Sequence, residues 1–178
     1  MRDRERSLRE AMAACGGAVY RLALCRLQSV EDAEDVYQDV FLRLLGEPYQ
    51  DWDGEKLKAW LLRTTSNRCT DLRRYRLRRP ALSLDEVPEL ARPMDSASTE
   101  LWDAVAALPE KLRTAVHLHY AEGYQAEEIA AMLGVPAATV RGRLRRGRMK
   151  LKDILGGDSD DERVPEADGR YPCAGGAG

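Results

Sequence analysis

The sequence predicts an all-α protein made of two small helical domains joined by a flexible linker. Apolar residues recur with the 3.6-residue period of a helix in several segments, and no segment shows the sustained period-two alternation of a strand. Between the two helical stretches lie 19 residues with three prolines, four acids and no clear period, a composition typical of a linker. A chain of 178 residues is long enough for two such domains.

The first domain is predicted over residues 5–79. It opens with a helix in which Gly16 and the glycine after it suggest a bend. Ser29 is placed to cap a second helix, with Asp32 at the capping-box position. A loop follows, and residues 57–79 are predicted to form a long third helix. The apolar stripe of the first helix consists of Leu8, Met12, Cys15, Val19, Leu22 and Leu27.

The second domain is predicted over residues 99–155, after a linker at residues 80–98. Pro109 is placed to open a helix that Gly123 ends. Two further helices meet at the turn "LGVP", which ends with Pro136. Two short helices joined by such a turn form a helix-turn-helix, the motif whose second helix enters the DNA major groove.

The charges are segregated along the chain. Residues 156–178 hold six acids and two bases, a net charge of −4, and this tail is predicted to be disordered. Because the whole chain has a net charge of −2, the remaining residues carry a net charge of +2. The apolar runs are too short to cross a membrane and the first ten residues too charged for a secretory signal, which predicts a cytoplasmic protein without membrane insertion. The spacing of four cysteines and two histidines predicts no metal site or disulfide framework, and no cofactor is expected.

The strongest functional signal is a basic helix in the second domain. Seven cations and no acid fall within residues 141–152. On a helical wheel, one side is apolar, the opposite side is mostly small, and cations flank the small side. Because like charges at close range repel, a polyanion partner is expected, with a solvated basic face as the alternative. The apolar side comprises Val140, Leu144, Gly147, Leu151, Ile154 and Leu155; the opposite side Ala138, Thr139, Gly142 and Met149; the flanks Arg141, Arg143, Arg145, Arg146, Arg148, Lys150 and Lys152.

A second basic cluster ends the first domain and supports the same interpretation less specifically. It is formed by Arg68, Arg73, Arg74, Arg76, Arg78 and Arg79.

Three segments together resemble bacterial sigma-70-type initiation factors, specifically the compact extracytoplasmic-function (ECF) group. "DAEDVYQDVFLRLL" (32–45) is similar to the region 2 helix that binds core polymerase. "KAWLLRTTSNRCTDLRRYRLRR" (58–79) is similar to the helix that recognises the minus-10 promoter element. "LPEKLRTAVHLHYAEGYQAEEIAAMLGVPAATVRGRLRRGRMKL" (108–151) resembles region 4, which reads the minus-35 element. The segments follow the family's order and spacing, and the likeness covers about residues 8–154.

The resemblance implies binding to core RNA polymerase, through its clamp coiled coil and its flap. On the 32–45 helix, one face is predicted to be buried, and the opposite face is polar and acidic with one exposed Leu. An ordinary solvated acidic face is the alternative. The buried face comprises Ala33, Val36, Tyr37, Val40 and Leu44, and the predicted polymerase-binding residues are Glu31, Asp35, Gln38, Asp39 and Leu42.

The resemblance also implies that the first domain reads and melts the minus-10 element. In the family, the loop before the minus-10 helix holds a flipped base. Trp52 is the candidate stacking platform, with a packing anchor as the alternative, while Trp60 is assigned to the core. Asn67 matches the family's promoter-contacting Asn, whose amide both donates and accepts hydrogen bonds. The predicted minus-10 residues are Trp52, Asp53, Lys56, Asn67, Arg68 and Arg74.

The basic helix is implied to read the minus-35 element. The chain departs from the family at Gly142 and Gly147, where Ser and Ala are usual, and each Gly costs about 1 kcal/mol of helix stability. The promoter sequence of better-known members is therefore not transferable. The predicted minus-35 residues are Ala138, Thr139, Arg141, Gly142, Arg143, Arg145 and Arg146.

These inferences favour an ECF-type sigma factor without catalysis of its own. Its expected partners are core RNA polymerase and promoter DNA, and an anti-sigma factor is a further candidate. A nearly extended linker would reach roughly 60 Å, about the separation of promoter elements 17 base pairs apart. The alternative is a one-component helix-turn-helix regulator, which binds duplex DNA without core polymerase; it would need a ligand pocket or dimer seam, and neither pattern is found.

Overall fold

The computed structural model describes residues 2–47, 53–78 and 96–156, and every regular element within these ranges is helical, which confirms the predicted fold class. Trp52, most of the linker and the tail beyond Gly156 lie outside the described residues. The helices are α1 (Arg2–Leu27), α2 (Val30–Gly46), α3 (Gly54–Arg78), α4 (Ser96–Ala106), α5 (Glu110–Val116), α6 (Ala126–Leu133) and α7 (Ala137–Ile154), with a π-helical turn at His117–Ala121.

Helix α1 is continuous over 26 residues, so its glycine pair does not interrupt it. Gly16 serves a different purpose. A Cβ atom at this position would lie 2.8 Å from Oη of Tyr37, which is closer than side-chain contacts allow. The missing side chain therefore lets α1 and α2 approach each other closely.

Helices α1, α2 and α3 form the first block around a core that includes Val19, Val40 and Leu61, all fully buried. The predicted cap of α2 is confirmed, because Oγ of Ser29 accepts a hydrogen bond of 3.3 Å from the backbone N–H of Asp32. The Asp32 carboxylate pairs with an arginine of α3 instead of completing a capping box. Trp60 is half-buried against this core, as its assignment to the core predicted.

The second block runs from α4 to α7. Helix α4 begins at Ser96, inside the segment predicted as a linker, and Pro109 precedes α5 as expected. The sequence predicted one helix from Pro109 to Gly123. In the structure the last turn of that helix is the wider π-helical turn. Gly134 adopts a left-handed conformation with φ of 65° and ends α6, a backbone state that glycine adopts without strain. The helix-turn-helix of α6 and α7 is present.

The two blocks pack directly against each other. Helix α1 contacts α5 and the π turn, and α3 contacts α6. The first block's Ala18, Leu22 and Leu62 are buried in the same apolar cluster as Leu108 and Leu118 of the second block. The structure is therefore a closed arrangement rather than two blocks held apart by an extended linker.

Candidate nucleic-acid interface

Helix α7 points its apolar side into the second block, as predicted, along most of its length. Val140, Leu144 and Gly147 are buried, and Leu151 is half-buried. The prediction is wrong for the last two apolar residues, which are 49% and 47% exposed. At that end α7 lies beside α4, and a shallow groove remains open between the two helices. The two exposed residues are Ile154 and Leu155.

The opposite side of α7 is open to solvent and strongly cationic. Arg141 is paired with Glu127 at 2.6 Å, and Arg148 donates to Oη of Tyr120 at 3.3 Å. Arg146 donates to a backbone carbonyl of its own helix. Ala138 is exposed, while Thr139, Gly142 and Arg143 are half-buried. Within the described ranges, no carboxylate pairs with the remaining cations of the helix, Arg143, Arg145, Lys150 and Lys152.

Helix α3 carries a second exposed cationic face, formed by side chains that lie within about 60° of one another on the helical wheel. Sequence reasoning missed one of its members, Arg63, because it lies outside the arginine run at the end of the helix. Its spacing of four residues from Asn67 was the available signal. The face, called the α3 stripe below, consists of Lys56, Arg63, Asn67, Arg74 and Arg78, all exposed.

The other arginines of α3 are bound to carboxylates of neighbouring helices. Arg76 pairs with Asp32 and Arg68 with Asp39, both on α2. Arg68 was predicted to contact promoter DNA and Asp39 to contact polymerase, and the structure pairs these two side chains with each other. The α3 cations are thus divided between an outward stripe and inward ion pairs.

Asp53, predicted to lie in the minus-10 loop, caps the start of α3. Its Oδ1 accepts a hydrogen bond of 2.8 Å from the backbone N–H of Lys56, and its Oδ2 lies 3.1 Å from Nζ of the same residue. The backbone hydrogen bond from Lys56 is the main cause that lowers the pKa of the Asp53 carboxyl. This contact fixes the position of Lys56 at the head of the α3 stripe.

The outward face of α2 is the predicted polymerase-binding surface. Its inward face is buried through Ala33, Val36 and Val40, as predicted, and through Phe41, which the sequence did not assign. Tyr37 and Leu44 are only half-buried. Leu42 is 66% exposed, and Glu31, Asp35 and Gln38 are exposed around it, while Asp39 is half-buried against α3.

Two helical blocks, each with an outward cationic helix and one with a helix-turn-helix, define a DNA-binding protein with a separate acidic face. Among the described residues, no helix is long and apolar enough to cross a membrane. The family model of Sigma-70 region 2 matches residues 12–79, and that of Sigma-70 region 4 matches residues 98–151.

Curated relatives carry the same assignment. The ECF RNA polymerase sigma factor SigE of Mycolicibacterium smegmatis is 37% identical over 153 residues, which are 80% of this chain and 59% of that protein. The RNA polymerase sigma-E factor of Streptomyces avermitilis is 34% identical over 156 residues, 80% of this chain and 82% of that protein. The chain belongs to the sigma-70 family, in its ECF group.

A solved structure has the same fold. It is CnrH in complex with the cytosolic domain of CnrY, with a TM-score of 0.60 and 27% identity; the match covers 87% of this chain and 91% of that one. The likeness therefore extends over both helical blocks.

Proposed function

We propose that this chain binds core RNA polymerase and directs it to promoters with two elements. Helix α3 and the loop before it read and melt the minus-10 element, and α7 reads the minus-35 element. The outward face of α2 binds the clamp coiled coil, and the second block contacts the flap. The chain performs no catalysis itself and acts in the cytoplasm, where polymerase and promoter are found.

One observation carries this proposal: two separate blocks of a sigma-70 family chain each expose a cationic helix face. Phosphate contacts from such faces position a protein on DNA, while small residues on α7 allow close approach to base edges. Asn67 lies in the middle of the α3 stripe, where an amide between cations can contact a base while its neighbours contact phosphates.

An anti-sigma factor is a further proposed partner. CnrH, which shares the fold and 27% of aligned residues, was solved with the cytosolic domain of CnrY. The proposal for this chain rests on that likeness.

Transcription from a promoter library tests the function. Purified chain and core polymerase are mixed with a library of upstream regions, and the transcripts are sequenced. We expect transcripts that start at a common two-part motif and require both proteins. A one-component regulator would instead bind particular duplexes tightly by itself and start no transcripts, which would contradict the proposal.

The polymerase-binding surface is tested by substitution on α2. Asp35→Asn combined with Gln38→Ala removes two exposed polar groups from the centre of the outward face. We expect affinity for core polymerase to fall about tenfold, measured by titration of labelled chain. Glu10→Gln, at an exposed position of α1, is the control. Unchanged affinity in the double variant would show that another surface binds the clamp.

A further inference from the structure

The cationic side of α7 carries four side chains that pair with no carboxylate of the described ranges: Arg143, Arg145, Lys150 and Lys152. Arg143 and Lys150 lie on one flank of the helix, and Arg145 and Lys152 lie on the other. The two cations of each flank are seven residues apart, which is about 10 Å along the helix. This separation is about the Debye length at 0.1 M salt, so their repulsion is only partly screened. A polyanion that covers the surface therefore lowers its free energy.

The residues that follow α7 in the sequence carry the opposite charge. Residues 157–178, called the acidic segment below, have a net charge of −4, which equals in size the charge of the four unpaired cations. The two arginines of the segment, Arg163 and Arg170, are included in this sum. Its six acids fall within 11 consecutive positions and are Asp158, Asp160, Asp161, Glu162, Glu166 and Asp168.

The end of α7 allows the chain to turn back along the helix. Gly156 adopts a left-handed conformation with φ of 70°, and its backbone N–H donates to the carbonyl of Asp153 at 3.4 Å. Glycine in this conformation directly after a helix ends the helix and redirects the chain. The residue after it, Gly157, has no side chain that would oppose such a turn.

The acidic segment is long enough to reach all four cations. A helix rises about 1.5 Å per residue, so Arg145 lies about 17 Å and Arg143 about 20 Å from Gly156 along the axis of α7. An extended chain covers about 3.3 Å per residue. Residues 158–162 therefore reach from Lys152 to Arg145, and Glu166 reaches Arg143 without full extension.

We propose that the acidic segment binds the cationic side of α7 in the same molecule when no DNA is bound. Single surface ion pairs are weak, but a short tether raises the effective concentration of the segment to the millimolar range. Several weak pairs therefore suffice to keep the segment on α7. DNA, which carries one charge for about every 1.7 Å of its axis, displaces the segment.

The consequence for DNA binding rests on the proposed function, in which α7 contacts promoter DNA. The acidic segment acts there as a counterion that is part of the chain. When DNA replaces the segment, some of the phosphate contacts only exchange for contacts that the cations already had. The free chain therefore binds duplex DNA more weakly, and with a smaller salt dependence, than its unpaired cations alone would give.

Cross-linking of the full chain tests the contact directly. A carbodiimide joins a lysine to a carboxylate that touches it, and mass spectrometry of the digested monomer identifies the pair. We expect links from Lys150 to Glu166 or Asp168, and their loss in about 1 M salt, where the Debye length is about 3 Å. Lys56, exposed on α3, is the control lysine. Equal linking to Lys56, absence of links to α7, or links only between two copies of the chain would overturn the inference.

Neutral variants of the segment test the effect on DNA binding. Asp160→Asn, Asp161→Asn and Glu162→Gln are combined in the full chain. The control, Glu5→Gln with Glu10→Gln and Glu34→Gln, changes the net charge equally at exposed positions of α1 and α2.

Relative to this control, affinity for a 30-base-pair random-sequence duplex should rise about fivefold at about 50 mM salt. The slope of log affinity against log salt should steepen by about 0.9 for each ion pair lost. Affinity and slope equal to those of the control would overturn the inference. Failure of the wild-type chain to start transcripts with core polymerase would refute the proposed function and leave the cross-links unchanged. Transcription without cross-links to α7 would refute only the contact of the acidic segment.

Discussion

The two glycines within α7, Gly142 and Gly147, have different roles. Gly142 has open space around it, since a Cβ atom there would meet only the end of the Arg146 side chain at 4.0 Å. At Gly147 the same atom would lie 2.7 Å from Cγ2 of Val116 on α5. The first glycine therefore weakens the helix without a packing reason, and the second lets α5 and α7 pack closely.

Alanine substitutions should separate these roles. Gly142→Ala should raise the free energy of unfolding by up to about 1 kcal/mol because alanine favours helix. Gly147→Ala gains the same helix propensity but should lose about 1–3 kcal/mol through overpacking, so its net effect is destabilising. Thermal and urea unfolding of both variants measure this difference. Stabilisation by Gly147→Ala would mean that Val116 moves aside at little cost.

Sequence periodicity identified most of the buried residues of α2 and α7, though not Phe41, and it did not identify the partners of individual charges. Val36 and Val140 were assigned correctly because burial follows the helical period. Arg68 and Arg73 could not be assigned in this way. Whether an arginine faces DNA or a carboxylate depends on which helix packs beside it, and that contact joins residues far apart in the chain.

At the scale of elements, α3 presents two sets of arginines with different consequences for binding. The α3 stripe is exposed and faces away from α2 and α5, whereas the inward arginines stabilise packing. A basic helix is thus not uniformly a DNA-binding helix. Only its outward stripe is available to phosphates without disturbing the first block.

Substitution of single α3 arginines by glutamine should distinguish the exposed α3 stripe from the arginines that are paired with carboxylates. Arg63→Gln and Arg74→Gln should each weaken promoter binding by the holoenzyme and reduce the slope of log affinity against log salt by about 0.7–0.9. Fluorescence anisotropy at several salt concentrations measures both quantities. The matched variant Arg76→Gln should leave the slope unchanged and lower the unfolding temperature, because it breaks the pair with Asp32. A salt slope reduced by Arg76→Gln but not by Arg63→Gln would contradict the assignment.

The π turn is an element that the sequence pattern did not predict. The period of α5 continues through His117 and predicts an ordinary helix up to Gly123, but the turn is wider. In this turn His117 is buried beside Glu122, and the glutamate side chain lies against the first block. Single π turns recur at functional positions in helices, and here the turn places Glu122 against Arg21 and Lys58 of the first block.

At the scale of the whole molecule, the arrangement of the blocks was beyond sequence reasoning. Leu22 was placed correctly on the inner side of α1, yet it packs against the second block, as does Leu62 of α3. Periodicity shows which side of a helix is apolar, but both blocks offer apolar surfaces that could cover it. The linker length allows the extended form as well as the closed one, so it does not choose between them.

The pH dependence of closure follows from Glu122. Burial raises the pKa of its carboxyl, but the contact with His117 and the charges of Arg21 and Lys58 outweigh burial and lower the pKa to about 2, from an ordinary value of 4.5. A lowered pKa stabilises the folded chain above pH 4.5, and this stabilisation, about 3 kcal/mol, is lost as the pH falls from 4.5 towards 2. Only the share that comes from Arg21 and Lys58 stabilises the contact between the blocks, because His117 lies in the same block as Glu122.

Closure should therefore be constant across the physiological range and should weaken only in strong acid. Solution scattering between pH 7 and pH 2.5 measures compactness, and circular dichroism at each pH separates opening from loss of helix. We expect the chain to expand below about pH 4.5, and the expansion to be smaller in Glu122→Gln, which lacks the titrating group and starts more open. Opening near pH 6 would assign the response to a different group.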